Sequence, residues 1–131
     1  MKQFWTDVIW GNVDYMFIDM PPDTGDVPLT VFQSIPVDGL VIVASPQELM
    51  GMMNVPVLAL VENMSYVVCP DCGREIHVFG ESRIAEIAQK HSIQTTAYLL
   101  IDSKLAVACD AGTIEHIDGN RLNSLLDIIL I

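Results

Sequence analysis

The chain has 131 residues, the length of one ordinary domain, so a single core over residues 1–131 is expected and a second full domain is not. Seventeen acidic against six basic side chains leave a formal charge of −11, which repels a phosphate backbone or an anionic membrane and argues against nucleic-acid binding. Apolar residues make up 51% and charged ones 18%, too oily for a disordered chain, yet no apolar run approaches the roughly 20 residues of a membrane-spanning helix.

In chain order, Met1 to Trp10 places Phe4, Trp5, Val8 and Ile9 at helical spacing, and Gly11-Asn12 stops that helix. The same segment has no basic region, long apolar core and small-residue cleavage site, so no secretory signal is visible and a cytoplasmic location is expected. Val13 to Met20, with Tyr15, Met16, Phe17 and Ile18, is expected as a short buried strand that ends at Asp19 and the Pro21-Pro22 breaker. Gly39 to Ala44 and Val55 to Val61 are two further apolar runs of strand length. Continuous apolar strands imply a parallel sheet covered on both faces. Only Ser45 to Asn54 separates these two, short for a parallel crossover, which usually takes a dozen or more residues.

Glu81 to His91 carries Ile84, Ile87, Ala88 and His91 at i, i+3, i+4 and i+7, with Glu81 in the first turn and Lys90 in the last, as the helix dipole favours. Thr95 to Ile101 is expected as an edge strand. Ser103 is placed to cap a helix from Lys104 to near Gly112, and from Arg121 onward Leu122, Leu125, Leu126 and Ile129 share a helix face. The fold class is therefore α/β, a mostly parallel sheet with flanking helices.

Cys69-Pro70-Asp71-Cys72-Gly73 lies between two β-like arms, Tyr66-Val67-Val68 and Ile76-His77-Val78-Phe79, so residues 66–80 read as a small Cys-x-x-Cys hairpin inserted in the fold. In such a turn two thiolates converge on one ion, and Gly73 lets main-chain N–H groups point at sulfur. Structural zinc or an iron-sulfur cluster wants four ligands. The other two come either from His77 and Cys109 of the same chain or from the same cysteine pair of a second copy across a two-fold axis. A redox dithiol of the thioredoxin kind competes, but that chemistry places the first cysteine at a helix N-terminus, and here β-formers follow. A turn without a ligand is the bland reading. Cys109, beside Leu105, reads as a small buried hydrophobe. His77 reads as a surface strand residue, His91 as a helix end and His116 as part of a loop.

Asp19 is expected at the carboxyl edge of the sheet, where ligands of open α/β folds bind and where an acid can hold the magnesium of a nucleotide phosphate. Capping of the following turn is the plainer role. None of the eight glycines falls in G-x-x-x-x-G-K-[ST] or G-x-G-x-x-G, so no phosphate cradle is present in the chain.

Asp14 to Pro22, Thr24-Gly25-Asp26, Gly39 to Val43, Val61-Glu62-Asn63-Met64-Ser65, the Cys-Pro-x-Cys-Gly knuckle and Phe79-Gly80 together resemble the carboxy-terminal half of the Mrp/ApbC family. These are MinD/ParA-like P-loop ATPases that act as iron-sulfur cluster carriers. The resemblance covers nearly the whole chain. It implies a partial P-loop NTPase fold, Asp19 as the acid near magnesium, Asn63 as an adenine contact, Asp102 in the Ile-Asp of a nucleotide loop, and Cys69 and Cys72 as cluster ligands at a homodimer interface. It further implies a [4Fe-4S] cluster, ATP and magnesium as the family's cofactors, and apo iron-sulfur proteins as acceptors. The chain departs from the family where Asp23 replaces the first glycine of Pro-Pro-Gly-Thr-Gly-Asp and where Leu100 replaces a proline. The deviant Walker A loop has no counterpart, so this chain alone is expected to be inactive as an ATPase. Two other readings stay open: a zinc-knuckle interaction module without catalysis, and one half of a split ATPase.

Overall fold

The computed structural model describes residues 2–20, 26–44 and 55–130. It divides into two compact units, Met1–Asp38 and Gly39–Ile131.

The first unit holds two helices, α1 (Lys2–Asp7) and α2 (Asp26–Ser34). α1 is shorter than the apolar spacing implies. No charged residue supports either of its ends, an isolated six-residue helix is marginal, and Ile9 beyond it is 97% exposed. Gly11 then takes φ +66°, the turn residue anticipated there. α2 was not anticipated from sequence. Its signal is Pro28, whose missing N–H costs nothing in a first helical turn, and it buries Val31.

The strand expected over residues 13–20 does not form: these residues pair with no strand among the described residues. A buried strand needs cover on both faces, and Val13, Tyr15, Met16 and Phe17 are all exposed. The apolar composition was read correctly, but the ladder that composition implied is not there. Pro21 to Gly25 lie outside the described residues, as does the short crossover over 45–54.

In the second unit, β1 (Leu40–Ala44), β2 (Val57–Glu62) and β5 (Thr95–Tyr98) form a parallel sheet in the order β1-β2-β5. β2 is central, with Glu62 opposite Ala44 on one side and Tyr98 on the other. The two faces of β2 are covered by different helices. Ala59 and Val61 pack with Ala97 and with Leu125 of α5 (Asn123–Ile129), while Leu60 packs with Ile84 and Ala88 of α3 (Ile84–Lys90). This two-sided burial is why β2 reads as a continuous apolar run rather than as an alternating one. β5 sits at the sheet edge, as expected.

α3 ends at Lys90 with His91 as its C-cap, close to expectation, but it starts at Ile84 rather than Glu81, so the acid in its first turn is Glu86 and not Glu81. α4 (Ser103–Ala111) is capped one residue earlier than expected. Asp102, not Ser103, holds the cap, its Oδ1 accepting from Lys104 N–H at 2.8 Å. A carboxylate at this position both satisfies an orphan N–H and complements the helix dipole. Gly112 closes α4 at φ +65°. Cys109 is exposed and its neighbour Leu105 is 37% exposed, so the reading of Cys109 as a buried hydrophobe is corrected. Of α4's residues only Ala108 is buried, so the face carrying Leu105 and Cys109 lies open.

Candidate functional site

The carboxyl ends of β2 and β5 are tied together by backbone bonds that continue past the strands. Leu99 N–H donates to Glu62 O at 2.8 Å, Ser65 N–H to Leu99 O at 2.8 Å, and Ile101 N–H to Tyr66 O at 2.8 Å. Asn63 N–H donates to Ala44 O at 2.9 Å, which joins β1 to the same edge. Asn63 and Asp102 therefore both follow the carboxyl ends of parallel strands, the side on which open α/β sheets bind ligands. Asn63 Oδ1 accepts from Met64 N–H at 2.9 Å, and Met64 adopts φ +58°. One oxygen of Asp102 is engaged by the α4 cap.

Tyr66 leads from this edge into the knuckle. β3 (Val67–Val68) and β4 (Glu75–Ile76) pair antiparallel, Val67 opposite Ile76 and Val68 opposite Glu75. The hairpin is closed by Cys69 N–H donating to Arg74 O and Gly73 N–H to Cys69 O, each at 2.9 Å. Gly73 stands at φ +69°, the left-handed backbone that glycine supplies without strain. The two cysteines meet at the tip. The N–H groups of Cys72 and then Asp71 donate to the Cys69 sulfur, and the Cys72 thiol adds a third contact. Together these outweigh a small opposing effect of burial and hold the Cys69 thiol below its ordinary range. Such a set favours thiolate over thiol, the form that binds metal.

Among the described residues no group of three or more His, Cys, Asp or Glu side chains is placed to hold one metal ion. His77 and Cys109 thus do not complete the ligand set within one chain. His77 instead lies tilted against the Tyr66 ring, with centroids 6.1 Å apart. Asp19, in the first unit, is exposed and lines a shallow cavity of about 340 Å³ with Trp5, Trp10, Met16, Phe17, Ile18 and Ile35.

Comparison with known proteins decides the family. Residues 1–129 match the ParA family model described as NUBPL iron-transfer P-loop NTPase. The chain belongs to that family. The Mrp/ApbC resemblance and the α/β parallel-sheet reading are borne out with it. The chain is 45% identical over 123 residues to an iron-sulfur cluster carrier protein of Pyrococcus horikoshii, covering 86% of this chain and 42% of that protein. A carrier protein of the same description from Haemophilus influenzae is 34% identical, with 94% of this chain and 37% of that protein covered. A nucleotide-binding protein from Archaeoglobus fulgidus, solved in complex with ADP and with Co found, superposes with a TM-score of 0.84 at 39% identity. That match covers 92% of this chain and 54% of the other. The chain thus spans about two fifths of the length of these curated relatives. Among its described residues no helix is long and apolar enough to cross a membrane.

Two site features carried no assigned role in the sequence reading. Glu62 ends the central strand fully buried, and Arg121 reaches the Tyr66 hydroxyl. The signal for Glu62 was a lone acid at the end of an apolar run. Arg121 had none, because its partner is 55 residues away.

Proposed function

We propose that this NUBPL-type chain holds an iron-sulfur cluster as cargo on Cys69 and Cys72 and passes it to apo iron-sulfur proteins in a reducing, cytoplasmic compartment. The observation that carries this reading is the knuckle itself: two cysteines at one hairpin tip, with main-chain N–H groups turned on the Cys69 sulfur. Two thiolates per chain fall short of the four that a cluster needs, so a second copy supplies the other pair across a two-fold axis. Four thiolates then suit a [4Fe-4S] cluster. A centre held by two contacts from each chain is released when the dimer opens, which suits delivery rather than storage.

The sheet edge forms part of a nucleotide site. On that edge Asn63 is the residue proposed to contact adenine, and Asp102 keeps one oxygen free of the α4 cap; Asp19, in the other unit, is proposed separately as an acid that meets magnesium. Nothing in the chain supplies a phosphate cradle, so hydrolysis requires residues this chain lacks. The test is anaerobic reconstitution followed by iron, acid-labile sulfide and zinc analysis. About four irons and four sulfides per two chains support the proposal. Zinc without sulfide overturns it in favour of a zinc knuckle, which the same N–H-to-sulfur geometry also fits.

A further inference from the structure

Glu62 ends β2 at 1% exposure. A buried carboxylate is costly unless a cation or a full set of donors meets it. Among the described residues no cation does. Its Oε2 accepts from Ser65 Oγ–H at 2.7 Å, and its buried Oε1 has no partner among the described residues. An apolar residue would serve this core position better, as Leu60 does two residues earlier in the same strand. The one polar contact its carboxylate makes among the described residues is the bond to Ser65.

What it holds is a strained turn. Between Glu62 and Ser65, Met64 stands at φ +58°, a conformation that side chains with a Cβ rarely adopt and that persists only when neighbours over-determine it. Backbone bonds secure Asn63 to Ala44 and Ser65 to Leu99, and the Glu62–Ser65 bond spans the turn from one end to the other. From Ser65 the chain runs through Tyr66 directly into β3 and Cys69. We infer that Glu62 is a positioning residue: through Ser65 Oγ its buried carboxylate fixes the turn that joins Asn63 to the Cys69–Cys72 knuckle and so sets the geometry of the thiolate pair. The inference rests on the metal-binding reading of that knuckle. Glutamine is the conservative replacement, since its carbonyl oxygen keeps the bond to Ser65 while its NH2 group takes the place of the unpartnered Oε1.

The test uses the whole chain and Co2+ alone as probe, because cobalt held by thiolates absorbs visibly. Residues that orient metal ligands typically change affinity 10–100-fold, so Ser65→Ala and Glu62→Ala should each weaken Co2+ binding by about tenfold and shift its absorption bands. Glu62→Gln should stay within about twofold of the wild type. A Ser65→Ala melting curve within a few degrees of the wild type separates positioning from unfolding, and that variant decides the matter if Glu62→Ala does not fold. Wild-type Co2+ binding by Ser65→Ala overturns the inference, as does Glu62→Gln falling as far as Glu62→Ala. If the wild type itself binds no Co2+ through thiolates, the metal reading fails instead. The positioning role is then read from amide hydrogen exchange at Cys69 and Gly73 without metal: faster exchange in Ser65→Ala supports it, and unchanged exchange overturns it.

Discussion

Arg121 donates from Nη1 to the Tyr66 hydroxyl at 2.6 Å, joining the turn before α5 to the root of the cysteine hairpin. The same ring lies against His77 on the far arm of the hairpin. Tyr66 is thus held at its main-chain oxygen by Ile101 and at its hydroxyl by Arg121, with the His77 ring tilted against its own. A two-stranded ribbon with two residues per strand has little stability of its own, so these outside contacts orient it.

Removing the hydroxyl in Tyr66→Phe should therefore act on the hairpin more than on the core. A single exposed hydrogen bond to a charged donor contributes on the order of 1 kcal/mol or less, so the melting temperature should fall by only a few degrees. Amide exchange at Val67 and Ile76 should speed up, while that at Leu60 and Val61 stays unchanged. Equal acceleration at all four sites would count against the clamp.

Gly73 offers a separate handle on the same hairpin. A Cβ built there meets no atom within 4 Å, so Gly73→Ala tests backbone conformation alone at φ +69°. The expected cost is about 1–2 kcal/mol, with weaker metal binding because the turn shifts. Gly39→Ala makes the contrasting case. Its φ is ordinary, but its Cβ collides with the Leu58 side chain, so a second change, Leu58→Ala, should restore part of the lost stability. No recovery in the double variant would mean that the collision is not the cause.

The lowered Cys69 thiol carries a pH signature. A thiol more acidic in the folded chain than its ordinary 9.0 stabilises the fold above that ordinary value. That contribution is lost as pH falls through the folded value. The corresponding rate measurement is alkylation of Cys69 by iodoacetamide, followed by peptide mapping. The inflection of rate against pH should lie lower in the native chain than in urea, because more thiolate persists near neutral pH. Coincident inflections would remove the N–H-to-sulfur explanation.

How far the sequence foretold the structure differs by element, for physical reasons. β2 and α3 were legible because their burial is two-sided or periodic and therefore written locally, whereas β1, read as covered on both faces, leaves Val41 and Val43 exposed on one of them. The knuckle was legible because four adjacent residues and a glycine contain the whole turn. Residues 13–20 were misread because an apolar run specifies burial but not a partner strand, and pairing is a property of distant chain. The Ser103 cap was misplaced by one position, within the usual uncertainty of helix ends. Glu62 left only the signal of a lone acid ending an apolar run and Arg121 left none, since each acquires its role from the fold that surrounds it.

The chain by itself should show no measurable ATP hydrolysis. Each missing electrostatic element of a phosphate site can cost on the order of 100-fold or more in rate, and here both the N–H cradle and its lysine are absent from the sequence. Asp23 adds a negative charge four residues after Asp19. Magnesium-dependent turnover that co-elutes with the pure chain and disappears in Asp19→Asn would refute this expectation.

The cysteines make the sharpest prediction. One chain brings two thiols together, and Cys109 is exposed on α4, outside any metal-sized cluster with them among the described residues. If two chains share one centre, Cys69→Ala and Cys72→Ala should each abolish both the visible absorbance of the reconstituted protein and its dimer, because either change removes two of four ligands at once. Cys109→Ala should keep both. In that arrangement, adding excess chelator to the wild type should convert dimer to monomer as colour is lost, since metal bonds rather than apolar burial would hold the interface. Sedimentation with simultaneous absorbance detection measures the two together. A coloured monomer, a colourless dimer that persists through chelation, or loss of colour in Cys109→Ala would each break the shared-knuckle arrangement at a different point: stoichiometry, cause of dimerisation, or ligand identity.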